Sequence, residues 1–142
     1  MATIIQDYGP IYGEPVNGTV QGRPNGSVYV PLSNTVDISL AANTELYANG
    51  TMMQLSNYMT VVANSQDLSS YIQTQLFTDA ACTTAFNTPR NLTVGRFNFS
   101  FVNFVASGST APTSGVSYYL RAQLMNNGVP VATSSVIEVV GR

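Results

Sequence analysis

The chain has 142 residues, only 8% of which are charged, and it contains no lysine, no histidine and no tryptophan. Histidine and lysine carry out much of the proton transfer and phosphate binding in proteins, so most enzyme mechanisms lack their usual groups here. We therefore expect neither catalysis nor a bound cofactor. The cations are five scattered arginines, and because phosphate backbones require a concentrated positive surface, we expect no nucleic-acid partner.

The sequence also bears on location. No apolar run approaches the roughly 20 residues that cross a bilayer, which predicts no membrane insertion. The first residues lack the basic region and apolar core of a signal peptide. A net charge of −2 gives weak colloidal repulsion between copies. We therefore expect the neutral surface to be covered by other subunits or displayed extracellularly or on a particle surface, such as a filament, a spore or a virion.

The start of the chain differs from the rest in its dense spacing of glycine and proline. This spacing prevents regular structure and predicts an N-terminal arm and linker over residues 1–26, followed by a β-domain over residues 27–142. Either the arm is a surface tail, or it docks on an adjacent copy and pairs with its exposed sheet edge. A solvated linker seldom carries large apolar side chains, and the candidate docking residues are Ile4, Ile5, Tyr8, Ile11 and Tyr12.

Beyond the arm, apolar and polar residues alternate in short runs separated by turn residues, the pattern of an all-β sandwich or barrel. The predicted strands cover residues 27–32, 35–40, 52–63, 70–77, 91–105, 116–125 and 129–140. Asn-Gly pairs at 49–50 and 127–128 predict tight hairpin turns, because both central positions of a type I′ turn need positive φ.

The strand over residues 116–125 has a clear inward and outward side. Alternation predicts that Arg121 and Gln123 face outward. The residues predicted to face inward are Val116, Tyr118, Leu120, Ala122 and Leu124.

The strand over residues 91–105 is apolar on both sides toward its end. One side carries Phe97, Phe99 and Phe101, and the other carries Val102 and Phe104. Either a β-bulge after the third phenylalanine re-phases the strand within the core, or the second face docks on a neighbouring subunit.

Isolated side chains offer few other candidate sites. Cys82 lies among small residues and is interpreted as a buried thiol or, alternatively, as an intersubunit disulfide partner. Asn17 and Asn25 stand in Asn-x-Ser/Thr sequences of the arm and are candidate glycosylation sites if the protein follows a glycosylating secretory route. Three aspartates are interpreted as turn caps, and a calcium site is the alternative. They are Asp37, Asp67 and Asp79.

Four strand-like segments precede the terminal hairpin, and they are Ser27–Leu32, Ser70–Phe77, Arg96–Val102 and Gly115–Gln123. Their arrangement resembles the strands of the small jelly-roll subunits of bacterial spore surfaces and appendages. The resemblance implies a single jelly-roll-like β-sandwich with an extended N-terminal arm. Appendage subunits of this kind often carry N-terminal cysteines that cross-link neighbours, whereas the arm here has none, so arm docking remains as the link between copies.

Together these features favour a self-assembling structural subunit of an extracellular filament or surface layer, with the chain itself as its partner. In this hypothesis the arm fills a groove or extends a sheet on the next copy. The alternative is a viral or phage capsid or fibre protein, or a surface module that binds carbohydrate or a host surface. Such a module would use tyrosine and asparagine side chains of loops 43–51 and 106–115.

Overall fold

The structure, a computed structural model, describes residues 33–67, 69–93 and 97–142. These residues form nine strands without an α-helix, which confirms the all-β prediction. The strands are β1 (Thr35–Leu40), β2 (Glu45–Asn49), β3 (Met52–Asn64), β4 (Tyr71–Phe77), β5 (Thr88–Thr93), β6 (Phe97–Ser107), β7 (Ser117–Asn126), β8 (Val129–Thr133) and β9 (Ile137–Gly141). The strand predicted over residues 27–32 lies outside the described residues.

Seven strands close into a ring in the order β3-β2-β9-β7-β4-β5-β6 and back to β3, while β1 pairs with β3 and β8 pairs with β7. Pairing is extensive within two groups, one of β1, β2, β3 and β6 and the other of β4, β5, β7, β8 and β9. Two short junctions join the groups: β2 pairs with β9 in parallel and β5 pairs with β6 in antiparallel orientation, each through two residue pairs. This pairing shows a closed, barrel-like sheet and does not confirm a jelly-roll sandwich.

The long strand β3 is shared by two neighbours on one edge, because its first half pairs with β2 and its second half with β1. On its other edge the register with β6 jumps from Met59↔Val102 to Gln54↔Phe104. Residues 55–58 therefore form a bulge in the ladder. The bulge gives β3 the bend that a closed sheet requires.

The same irregularity re-phases β6 after its third phenylalanine, as one of the two predicted alternatives has it. Val102 and Val105 are both buried although they stand three residues apart, whereas a regular strand would send them to opposite faces. Phe97 and Phe99 belong to β6, but their side chains lie outside the part of the chain described.

Strand β7 crosses the centre of the second group between β4 on one edge and β8 and β9 on the other. The prediction for its inward side is confirmed for Tyr118, Leu120, Ala122 and Leu124. The prediction for Val116 was wrong, because its side chain is 43% exposed. The strand begins one residue later, and the Val116 amide instead donates to the carbonyl of Thr113 at 3.2 Å in the preceding turn.

The hairpin after β7 has the predicted turn, since Asn127 and Gly128 have φ angles of 53° and 75°. The return strand, predicted as one element, is divided into β8 and β9 around Ser134. There the Ala122 amide donates to the Ser134 hydroxyl oxygen at 2.9 Å, and the Ser134 amide donates to the Ala122 carbonyl at 2.9 Å. A side-chain oxygen thus replaces a backbone carbonyl in the ladder.

The interior of the ring is filled by apolar side chains from both groups of strands. The largest fully buried ones are Leu46, Met53, Leu55, Met59, Val61, Ile72, Leu76, Val105, Leu120, Leu124 and Val139. Thr74 is a buried polar residue within this packing, and its hydroxyl donates to the carbonyl of Val105 at 2.9 Å. Because apolar side chains fill the interior, the side chains that a partner could contact lie on the outside of the ring.

The parallel junction leaves no room for a larger residue at Gly141. A Cβ there would lie 2.2 Å from the carbonyl oxygen of Thr113. Gly141→Ala is therefore expected to lower the free energy of unfolding by about 1–3 kcal/mol, the usual cost of overpacking, in urea denaturation. The neighbouring control Val140→Ala shortens a partly exposed side chain and should cost less than about 1 kcal/mol. Equal losses in both variants would contradict this description of the junction.

Candidate functional site

The outer surface of the second strand group is a neutral polar face. The Gln73 side-chain amide donates to Asn91 at 3.2 Å, and the Gln123 amide donates to the Thr133 hydroxyl at 3.2 Å. Gln73 and Gln123 lie opposite each other in the register of β4 with β7. We call Gln73, Asn91, Gln123 and Thr133 the amide face. Their side chains form two hydrogen-bonded pairs that lie on four neighbouring strands.

The outer surface of the first strand group carries large exposed apolar side chains. Tyr58 and Phe101 are each 58% exposed, and Val62 is 44% exposed. Thr60 lies among them, opposite Phe101 on β6 and opposite Ser39 on β1. We call Tyr58, Thr60, Val62 and Phe101 the apolar face.

The strand pattern of β3 explains why these side chains face outward. Met59 and Val61 are completely buried, so their neighbours at alternate positions point away from the core. Sequence reasoning predicted the strand over residues 52–63 but missed this exposed set. Both alternating sets of residues 58–62 contain apolar side chains, so the sequence alone does not show which set faces the core.

A depression lies beside the apolar face, between β1 and β3. It measures about 380 Å³, and the residues that line it are Asp37, Ile38, Ser39, Thr60 and Val62. We call it the β1–β3 groove. Its mixed lining of hydroxyl, carboxylate and aliphatic groups suits an extended peptide that carries apolar side chains, because such a peptide has both backbone polar groups and apolar surface to satisfy.

Arginine side chains cover several other aromatic rings. Guanidinium carbons lie 4.3–4.7 Å from ring centroids in the pairs Arg90 over Phe104, Arg121 over Phe77 and Arg142 over Tyr47. Arg90 also donates to the carbonyl of Phe104 at 2.8 Å, and its burial lowers the pKa of its guanidinium. Arg23 and Arg96 lie outside the described residues. The arginines that the structure does describe are thus engaged with aromatic rings of their own subunit.

Residues 43–51 and 106–115 were predicted to be loops that contact carbohydrate, but the prediction was wrong for most of the first segment, because it contains strand β2. The two segments meet at one end of the ring. The Gly108 amide donates to the carbonyl of Thr51 at 2.8 Å. This contact brings the two loops into one surface, as the carbohydrate hypothesis needs.

The aromatic side chain in these loops is already engaged, however. The Tyr47 hydroxyl donates to the side-chain oxygen of Gln54 at 3.1 Å. Arg142 covers a face of the ring and also lies 3.5 Å from the carboxylate of Glu45. A sugar could stack on this covered ring face only by displacing the arginine.

Cys82 lies in the loop between β4 and β5 with a left-handed φ of 57°. The side chain is half-buried, so the prediction of a buried thiol was wrong. Partial burial raises the pKa of the thiol, which reduces the thiolate available for disulfide exchange. The intersubunit disulfide stays a prediction.

The carboxylates in the loops act as turn caps. Asp79 accepts hydrogen bonds from the amides of Thr83 and Thr84 and from the Thr83 hydroxyl. Asp67 accepts from the amide and hydroxyl of Ser69. Within the ranges described, no three histidine, cysteine, aspartate or glutamate side chains form a group that could hold a metal ion.

The arm and its candidate residues fall outside the described part of the chain. They are Ile4, Ile5, Tyr8, Ile11 and Tyr12 for docking, and Asn17 and Asn25 for glycosylation. Among the residues that are described, no helix is long and apolar enough to cross a membrane. Comparisons of the chain with family models, with curated proteins and with solved structures gave no match.

The Asp79 cap predicts a pH-dependent loop. The Thr83 hydroxyl, followed by the Thr84 amide, lowers the pKa of this carboxyl, so the cap stabilises the folded loop above the ordinary aspartate pKa of about 4. This contribution is lost as the pH falls from about 4 through the lowered pKa. We expect the amide resonances of Thr83 and Thr84 to shift in that range in NMR titrations. In the Asp79→Asn variant these two resonances should not shift over the same pH range. Equal shifts in the wild type and in the variant would contradict the role of Asp79 as a cap.

Proposed function

We propose that the protein is a self-assembling structural subunit of an extracellular filament or surface layer. Each copy is linked to the next when its N-terminal arm docks on a neighbour. The observation that carries the proposal is the apolar face, with Tyr58 and Phe101 each 58% exposed in a chain that is only 8% charged. Exposed apolar surface on a soluble β-protein is a common mark of an interaction site.

The sequence of the arm supplies a complementary partner for this face. Its isoleucines and tyrosines are residue types that a solvated tail seldom carries, and tyrosine offers a large, rigid contact surface at interfaces. A contact between the arm of one copy and the face of another joins two different surfaces. Such a heterologous contact generates open polymers unless its rotation closes a ring. A filament is therefore the assembly that we propose.

The remaining features belong to the same proposal. We take the protein to be non-enzymatic and without a cofactor, to bind copies of itself rather than nucleic acid, and to act outside the cell or on a particle surface. A relation to jelly-roll subunits is also proposed. It is supported by the all-β fold, and the closed ring is the feature that such a relation must accommodate.

The second candidate is a surface module that binds carbohydrate, or a capsid or fibre protein of a virus or phage. The contact between loops 43–51 and 106–115 favours a surface of this kind at one end of the ring. The engaged ring of Tyr47 weighs against sugar stacking there. We therefore rank self-assembly above it.

Deletion of residues 1–15 tests the proposed function. The full chain should form polymers in negative-stain microscopy and elute early in size-exclusion chromatography, whereas the truncated protein should be monomeric. Ile4→Asn with Ile5→Asn should reproduce the loss, and Thr3→Ser is the control that leaves the apolar residues unchanged. Identical polymers from the truncated protein, or a full chain that is monomeric at every concentration, would overturn the proposal. A carbohydrate-binding module would retain its ligand after the deletion.

A further inference from the structure

We propose that the β1–β3 groove, together with the apolar face beside it, receives residues 4–12 of a second copy of the chain. This inference rests on the proposed function and adds the acceptor surface to it. No sequence pattern identified that surface. It follows from the register of β1, β3 and β6 and from the exposure of their outward side chains.

The surface of the groove combines polar and apolar side chains. In the register, Asp37 lies opposite Val62, and Ser39 lies opposite Thr60. Hydroxyl groups therefore stand next to exposed apolar side chains along the groove. A docked segment could bury isoleucine and tyrosine side chains on Val62 and Tyr58 while its backbone hydrogen-bonds to the hydroxyls.

The amide face on the other side of the ring is a poorer acceptor for the arm. There Gln73 and Gln123 already pair with Asn91 and Thr133. Covering those groups would gain few new hydrogen bonds and little apolar burial. Covering Tyr58 and Val62 removes large apolar surfaces from water, which is the main favourable term in association.

The arm could reach this surface by docking on its face or by inserting as a strand at its edge. Beside the groove, β1 and β8 are neighbouring strands that no ladder joins among the described pairs. An inserted strand would need about 4.8 Å on each side, or about 9.6 Å between its neighbours. Cα atoms of β1 approach those of β8 to within 8 Å, so a strand does not fit between them without separating them. The arm is therefore assigned to the face and not to this edge.

The length of the chain before β1 allows a neighbouring copy to supply the arm. The chain enters the described structure at Ser33, immediately before β1, so the arm is tethered at the strand that borders the groove. The segment from residue 12 to Ser33 can extend to at most about 70 Å, well beyond the roughly 35 Å width of a domain of this size. This length is enough for residues 4–12 to reach the groove of a neighbouring copy.

A matched pair of full-chain variants tests the acceptor surface. Val62→Arg places a long charged side chain in the groove, where Asp37 opposite it supplies a counter-charge. The control is Val140→Arg, because Val140 is also an exposed strand valine, at 39% against 44%, and lies opposite the carboxylate of Glu45. Both variants should keep a thermal midpoint within about 3 °C of the wild-type value, since surface substitutions change stability little.

Val62→Arg is expected to raise the concentration needed for polymer formation by about tenfold or more, as expected when the centre of an interface is lost. Val140→Arg should polymerise like the wild type. The inference is overturned if both variants polymerise normally or if both lose polymer to the same extent.

A mixing experiment separates this inference from the proposed function. Ile4→Asn with Ile5→Asn damages the arm but keeps the groove, whereas Val62→Arg damages the groove but keeps the arm. If the arm docks in the groove, neither protein polymerises alone, and an equimolar mixture forms heterodimers in size-exclusion chromatography with light scattering. If the arm variant fails to polymerise but no heterodimer forms, the arm binds elsewhere, so the inference fails and the proposed function stands. If the arm variant polymerises normally, both fail.

Discussion

Closure of the sheet depends on two junctions of two residue pairs each, one parallel between β2 and β9 and one antiparallel between β5 and β6. Between them, the two strand groups are paired over most of their length and enclose a continuous apolar interior. At the parallel junction the Arg142 amide donates to the carbonyl of Leu46 at 2.8 Å, and Gly141 fits against Thr113 only because it has no side chain. The sheet is thus closed on this side by a short backbone contact between β2 and β9.

Closure also determines where function can reside. Because the inner face of every ring strand is committed to the core, alternation sends the other side chains to the outer surface. On the second group they include amides and hydroxyls that hydrogen-bond to one another, together with exposed valines such as Val129 and Val140. On the first group they include Tyr58, Val62 and Phe101, which are apolar and exposed. The exposed aromatic rings of the first group are what distinguish it as the candidate interface.

Local rules predicted the parts of this fold that depend on neighbouring residues. Alternation placed Tyr118 and Leu120 inward, and the Asn127-Gly128 pair marked the hairpin turn. Such rules could not predict the pairing of Glu45 with Val140. The two residues lie in strands that are far apart in the sequence, and alternation within a strand does not indicate which strand is its neighbour. The exposure of Val62 was equally hidden, since a valine on an outward position differs from a core valine only through the register of its strand.

The low charge of the chain has a physical consequence for assembly. A charge buried at an interface without a partner costs several kcal/mol, so subunits that cover much of one another need surfaces whose charges are few or already engaged. Here Arg90 and Arg121 lie over aromatic rings of their own subunit, and Arg142 lies 3.5 Å from the carboxylate of Glu45. The Nε atom of Arg121 is nevertheless buried without a hydrogen-bond partner. The surface that remains is largely neutral and hydrogen-bonding, so neighbouring copies can cover it with few further charges to desolvate. A subunit that had to remain monomeric would gain from the opposite composition, with many unpaired charges and no exposed apolar face.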